Sequence, residues 1–234
     1  MIICLETSTP LCSVALCDKD GVVALRESAD GKSHASLLTV FVDELLAEAG
    51  INAADLQAVA VSKGPGSYTG LRIGVSAAKG IAYAASLPLI GIDTTLSMFH
   101  GISEYAEANS MTGDSTLFVP MLDARRMEVY YSIFTGNGEI YREVSAEVID
   151  ENSFSDIPAD NRLVFFGDGA TKCRGILEGT NKIFVENFRI SAAHMYKPAL
   201  KAFREKRFEN TAYFEPFYLK DFITSRPKKN ILGR

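Results

Sequence analysis

The chain carries one arrangement twice. In the first half the apolar run Ile2 to Thr7 ends on an acid, Glu6, a second run covers Ser13 to Cys17, and Asp18-Lys19-Asp20-Gly21 turns into a third, Val22 to Glu27. In the second half Leu117 to Asp123 ends on an acid, Glu128 to Phe134 follows, and Asn137-Gly138 turns into Glu139 to Val148. Glu6 precedes Gly21 by as many residues as Asp123 precedes Gly138, and both third runs contain Arg-Glu, at Arg26-Glu27 and Arg142-Glu143. Short β-branched and aromatic runs separated by such turns read as strands and hairpins. A matched strand–turn–strand–turn–strand order predicts an α/β chain of two duplicated halves, each with a three-stranded meander and helices on the sheet faces.

Between the two meanders the pattern alternates. Ser33 is placed to cap a helix from His34 to Ala49, closed by Gly50. A strand over 56–62, a helix from Leu71 to Ser86, a strand from Pro88 to Asp93 and a helix from Thr94 or Thr95 toward Ala108 follow. Residues 109–115 are small and polar, which sets the expected boundary between an N-terminal lobe, 1–110, and a C-terminal lobe, 111–234. The C-terminal segment is free to pack back on the first lobe. Later come a strand from Arg162 to Phe166, a helix from Gly167-Asp168-Gly169 through Leu177, and a helix from Ser191 to about Lys206 that Pro198 could kink. The tail from Pro216 reads as extended.

Composition excludes several classes. With 47% apolar and 23% charged residues this is an ordinary globular chain. Met1-Ile2-Ile3-Cys4-Leu5-Glu6 has no basic leader, and the most apolar run, Leu71 to Ile92, carries Arg72 and Lys79. No membrane association is expected, and the cytoplasm is the expected location. A net charge of −5 argues against nucleic-acid binding by this chain alone; the basic tail Arg226-Pro227-Lys228-Lys229-Asn230 with Arg234 reads as solvated. Cys4, Cys12, Cys17 and Cys173 form no Cys-x-x-Cys pair and read as buried, reduced thiols.

Lys63-Gly64-Pro65-Gly66-Ser67-Tyr68-Thr69-Gly70-Leu71-Arg72-Ile73-Gly74 joins a buried strand to a helix. A Gly-rich turn opening a helix can offer backbone amides to an anion. It can equally be a tight turn with no ligand. The spacing fits neither a Walker A loop nor a Rossmann fingerprint. The structural reading gives Gly64, Gly66 and Gly70 the task of allowing backbone conformations closed to other residues. Gly70, Gly74 and Ala77 would then form a small helix face for close packing.

Two like lobes facing a cleft is the layout of the actin, Hsp70 and sugar-kinase superfamily, in which the acid-bearing turns face nucleotide phosphates and their metal. The corresponding residues here are Glu6-Thr7-Ser8-Thr9 and Asp123-Ala124-Arg125-Arg126, with Gly167-Asp168-Gly169-Ala170 placed to approach an adenine or ribose. Glu6, Thr7, Ser8, Asp123, Gly167 and Gly169 are therefore the candidate residues of a vestigial nucleotide cleft. Fold alone does not give activity. Leu5-Glu6-Thr7-Ser8-Thr9 with Cys12-Ser13-Val14-Ala15-Leu16, the segment 63–74, and Asp123-Ala124-Arg125-Arg126-Met127-Glu128-Val129-Tyr130 together resemble the TsaB family, also called YeaZ. The likeness runs from the first strand to Tyr218-Leu219-Lys220, with little signature over 140–210. Glu6 departs from the family's usual Asp, which weighs against a tightly fitted metal there.

The resemblance implies a non-catalytic subunit of the bacterial machinery that makes N6-threonylcarbamoyladenosine at position 37 of tRNAs. It implies a TsaD-like catalytic partner, a TsaE-like ATPase helped to the complex, tRNA met through that complex, and an M22 glycoprotease label by family. TsaD-like proteins carry a His-x-x-x-His metal motif after the strand equivalent to Leu89–Asp93, where this chain has Thr94 and Met98. Neither suits an iron or zinc ion. No metal and no catalytic residue are expected, no resident cofactor, and at most weak ATP or ADP binding. A small-molecule kinase or ATPase and an M22-type metallopeptidase are the alternatives. His34 to Ala49 presents apolar residues over an arc of roughly 180°, wider than one domain needs. That width points to a partner-binding face at Leu38, Val42 and Leu46 beside Gly70, Gly74 and Ala77. The face would serve a TsaD-like protein, or a second copy in a homodimer when the chain is alone.

Overall fold

A computed structural model describes residues 1–30, 34–108, 111–177 and 179–220. Ser33, expected to cap a helix, and the basic tail from Arg226 lie outside them. The first half contains β1 (Ile2–Glu6), β2 (Cys12–Cys17), β3 (Val22–Ser28), α1 (His34–Ala49), β4 (Ala58–Gly64), α2 (Tyr68–Ala84), β5 (Leu89–Asp93) and α3 (Thr94–Ala108). The second contains β6 (Thr116–Asp123), β7 (Glu128–Thr135), β8 (Ile140–Val148), β9 (Arg162–Phe166), α4 (Asp168–Cys173), β10 (Lys182–Phe184) and α5 (Tyr196–Arg204).

Each half folds into a five-stranded mixed sheet, ordered β3-β2-β1-β4-β5 and β8-β7-β6-β9-β10. Counted within each half, the two orders are identical, so the repeat seen in the meanders extends to the whole sheet. The first three strands of each pair antiparallel, and the last two add in parallel. This is the duplicated α/β architecture that the repeated meander predicts. β1 and β4 are central and apolar on both faces, as a strand covered on both sides must be. β3 and β8 form the outer edges and are half exposed.

The helices cross between halves. α1 and α2 cover one face of the first sheet, where Leu38, Val42, Leu45 and Leu46 pack with Ile3, Leu5, Val14 and Val61. The opposite face, Ile2, Cys4, Ala58, Ala60, Ile90 and Ile92, is covered by Ala192, Met195, Ala199 and Ala202 from the C-terminal segment. α3, although it belongs to the first half in sequence, lays Met98, Phe99 and Ile102 on Phe118, Leu122 and Val164 of the second sheet. The remaining face of that sheet closes over Phe154, Ile157 and α4. All four cysteines are buried and free.

Four elements differ from the sequence reading: α4, expected to run through Leu177, ends at Cys173 and gives way to turns, and three others follow. α2 starts at Tyr68 because the Ser67 hydroxyl accepts the Gly70 amide and caps it. The helix expected from Ser191 divides into a 3-10 turn, Ala192–Met195, and α5, with Pro198 near the start of α5, where its missing N–H leaves no intrahelical bond unmade. β10, three residues long, has no sequence signature.

The partner face expected on α1 needs a correction. Leu38, Val42 and Leu46 are 1%, 6% and 8% exposed and belong to the chain's own core. The wide arc is used internally, because α1 packs on both β2 and α2. What it leaves half-buried is Leu37 and Phe41, flanked on α2 by Ile73, Ala77 and Ile81.

Candidate interlobe site

A cleft of about 480 Å³ lies between the two acid-bearing turns. Ser8, Thr9 and Pro10 line it from the first lobe, and Leu122 to Arg125 with Asp168 from the second. The Gly-rich loop forms one side and Phe217 to Lys220 another. A smaller, more apolar cavity of about 260 Å³ adjoins it and shares Thr9, Pro10, Leu122 and Asp168. The turns reach one cleft because β1 and β6 occupy the same central position in sheets of the same order.

Glu6 does not line this cleft. It is fully buried, with Oε1 accepting the Ser8 amide at 2.7 Å and the Ser62 hydroxyl at 2.8 Å. Burial raises its carboxyl above the ordinary carboxylate value, and the bonds from Ser8 and Ser62 offset part of that. Its Oε2 and the hydroxyls of Thr7 and Ser8 are buried with no hydrogen-bond partner. Glu6 thus braces the turn from beneath.

The Gly-rich loop packs on that turn. A Cβ at Gly66 would lie 2.6 Å from the Ser8 carbonyl oxygen, one at Gly70 2.0 Å from that of Thr7, and one at Gly74 2.2 Å from Thr7 Oγ1. The small face of α2 therefore meets the Thr7–Ser8 turn, so Gly70 and Gly74 do not form the partner surface expected of them; Ala77 stays half-buried beside α1. The Ser67 amide donates to Ser8 O, and the Gly70 and Leu71 amides to the Ser67 hydroxyl and carbonyl. These three amides are not free to hold an anion. At Gly64, φ is +120° and a Cβ would lie 2.5 Å from Phe217 O, so both conformation and space demand glycine.

In the second lobe Asp123 accepts the Arg125 amide at 2.8 Å and pairs with Lys172. Burial pushes its carboxyl up, but Lys172 and the Arg125 amide together bring it below the ordinary value. Asp168 accepts the amides of Asp123 and Gly169, at 3.0 and 2.9 Å, yet burial raises its carboxyl, and the Asp123 charge adds to this. Gly167 and Gly169 press on β6: a Cβ would meet Met121 O at 2.3 Å and the Leu122 carbonyl carbon at 2.8 Å. They seat α4 on the strand end. Arg125 and Arg126 both have positive φ, 72° and 50°, in a turn that usually takes Asn and Gly; both are exposed, and Arg125 lines the cleft.

Sequence reasoning missed Lys172, although it lies four residues after Asp168 on α4, a spacing that places both on one helix face. It also missed Ser62 and the Tyr68–Tyr218 pair, whose rings lie 4.7 Å apart. Nothing in local spacing connects those partners.

Thr94 and Met98 are buried, and a Cβ at Gly167 would lie 2.5 Å from Met98 Cε. A thioether packed under a glycine and a buried hydroxyl do not fit an iron or zinc ion. The histidines lie apart: His34 reaches Thr9 O, His194 lies flat against Gly101, and His100 is pushed down to about 4 by burial and by Lys197 and Lys201.

The family model described as TsaD, tRNA N6-adenosine threonylcarbamoyltransferase, matches residues 25–159. A Haemophilus influenzae protein named tRNA threonylcarbamoyladenosine biosynthesis protein TsaB is 29% identical over 95% of this chain and 94% of its own length. The Escherichia coli protein of that name is 34% identical over 56% of this chain and 53% of its own. YeaZ from Pseudomonas aeruginosa has the same fold, with a TM-score of 0.78 at 22% identity, over 93% of this chain and 99% of that one.

Proposed function

The chain belongs to the TsaB (YeaZ) family, and from that premise we propose that it is a non-catalytic subunit of the machinery that makes N6-threonylcarbamoyladenosine in tRNA. In this reading it pairs with a TsaD-like catalytic subunit, helps bring in a TsaE-like ATPase, meets tRNA through the complex, and forms a homodimer when alone. It needs no resident cofactor and binds ATP or ADP weakly at most.

The observation that carries the reading is the use of the three candidate carboxylates, two in the cleft and one buried beneath it. Glu6 braces a turn, Asp123 is held by Lys172, and Asp168 accepts two backbone amides. A phosphoryl transferase needs such acids free for metal and substrate. That weighs against the kinase or ATPase alternative. The metallopeptidase alternative lacks a donor set at Thr94 and Met98.

The half-buried strip of Leu37, Phe41, Ile73, Ala77 and Ile81 is the partner surface in this reading. The test is co-purification from the native host. A TsaD-like protein should accompany the wild-type chain, and Phe41→Ser with Ala77→Glu should weaken that binding at least about tenfold, equivalent to about 1.4 kcal/mol. Circular dichroism checks that the variant remains folded. A wild-type eluate without a TsaD-like protein would overturn the pairing. A folded variant that binds as before would move the interface elsewhere.

A further inference from the structure

The charges of this chain are segregated. Residues 1–190 hold 25 acids and 14 lysines and arginines, whereas residues 191–220 hold three acids and six lysines and arginines. The net charge of −5 therefore hides a local excess of the opposite sign. Five of those six cations, Lys197, Lys201, Arg204, Lys206 and Arg207, lie on α5 or directly after it, and all five are exposed. Lys197, Lys201 and Arg204 follow one another at four and three residues, so they share one helix ridge roughly 10 Å long. The other side of α5 is spent on the first sheet through Ala199 and Ala202. Glu205 pairs with Arg207, and among the described residues no carboxylate pairs with Lys201, Arg204 or Lys206. The helix dipole explains Lys201 and Arg204, in the last turn, but disfavours Lys197 in the first. Lys206 stands at φ +55° just past the helix, where the Arg207 amide returns to Ala202 O and glycine is the usual residue.

We infer that this ridge binds the phosphate backbone of RNA and is the chain's own contact with tRNA, the identity of that RNA resting on the reading under Proposed function. A row of exposed cations replaces the counterions condensed along a phosphodiester strand. A protein partner fits less well, because interface cores are depleted in lysine. A bilayer fits less well again. A membrane-surface helix keeps its apolar face for lipid, and α5 has used that face on the sheet. The contact supplies affinity and orientation, not sequence choice. The acidic remainder of the chain repels RNA, so the ridge also decides which side of the molecule RNA approaches.

Fluorescence anisotropy of an end-labelled tRNA transcript, titrated with the isolated full chain between about 50 and 200 mM salt, reads the contact. At the low end wild type should bind with a Kd of about 10⁻⁴ M or tighter. Lys201→Gln with Arg204→Gln should weaken binding at least about tenfold. It should also lower the slope of log K against log salt by about 1.4–1.8, the value for two lost phosphate contacts. Lys206→Gly should weaken binding about three- to tenfold while its melting temperature equals or exceeds wild type. Arg162→Gln, on the second sheet, should bind as wild type does. A wild-type chain that does not bind, or a folded Gln pair that binds with an unchanged slope, overturns the ridge as an RNA contact. Capture by phosphatidylglycerol vesicles but not by tRNA overturns it too. The Gln pair should still co-purify with a TsaD-like protein; loss of that pairing in the folded variant would make the ridge a protein interface. A wild-type chain that binds tRNA but brings down no TsaD-like protein would sink the pairing and leave the ridge standing.

Discussion

Glu6 shows how an acid at a strand end can be structural. The fold disfavours its charged form, because burial outweighs the bonds from Ser8 and Ser62. The sign follows from linkage. With the folded value above the unfolded one, the unfolded chain releases its proton first, and stability falls as pH rises from the unfolded value through the folded one. Glu6→Gln keeps an oxygen for the Ser8 amide and the Ser62 hydroxyl and removes the titration. We expect its melting temperature at pH 7 to equal or exceed wild type. Glu6→Ala, which leaves a cavity and unpaired donors, should lose about 2–4 kcal/mol. Thermal melts of both variants decide the matter: a Gln variant as weak as the Ala variant would mean that the charge itself is required.

At the scale of elements, α2 carries glycines with opposite demands. Gly70 has the Thr7 backbone where its Cβ would go, whereas Gly80 has open space. Gly70→Ala should cost about 1–3 kcal/mol, since backbone must move. Gly80→Ala should stabilise by about 0.5–1 kcal/mol, through helix propensity and a less free unfolded chain. Urea titrations of the two variants should therefore shift in opposite directions, and a common direction would refute the packing explanation. The glycine stripe was legible in the sequence, but the side it faces was not. Periodicity places Gly70 and Gly74 on one face of a helix without saying what lies opposite. The same limit sent Leu38, Val42 and Leu46 outward in the sequence reading, because the width of the α1 arc does not reveal that two elements share it. Asp123 and Asp168 were legible as acids near turns, each with a local amide, but the Lys172 pair with Asp123 and the bond from the Asp123 amide to Asp168 join segments distant in sequence.

For the whole molecule, the repeated meander was enough to foretell two like sheets, since turn chemistry and alternation are local. The exchange of helices between halves was not legible, because it depends on contacts more than a hundred residues apart, such as Ser13 with the Ala192 amide at 2.9 Å. Its energetic weight can be tested. A fragment of residues 1–108 leaves Ile2, Cys4, Ala58, Ala60, Ile90 and Ile92 without their cover. At about 1.5–3 kcal/mol for each large apolar side chain left in water, the fragment should give no cooperative melt. A sharp calorimetric transition for that fragment would show that the first sheet stands alone. The crossing of α5 onto the first sheet also has a consequence for synthesis. A ribosome delivers the first lobe's strands long before α5, so the face that α5 seals waits uncovered while the second lobe emerges. That interval is when a nascent chain of this topology is most exposed to chaperones and to aggregation.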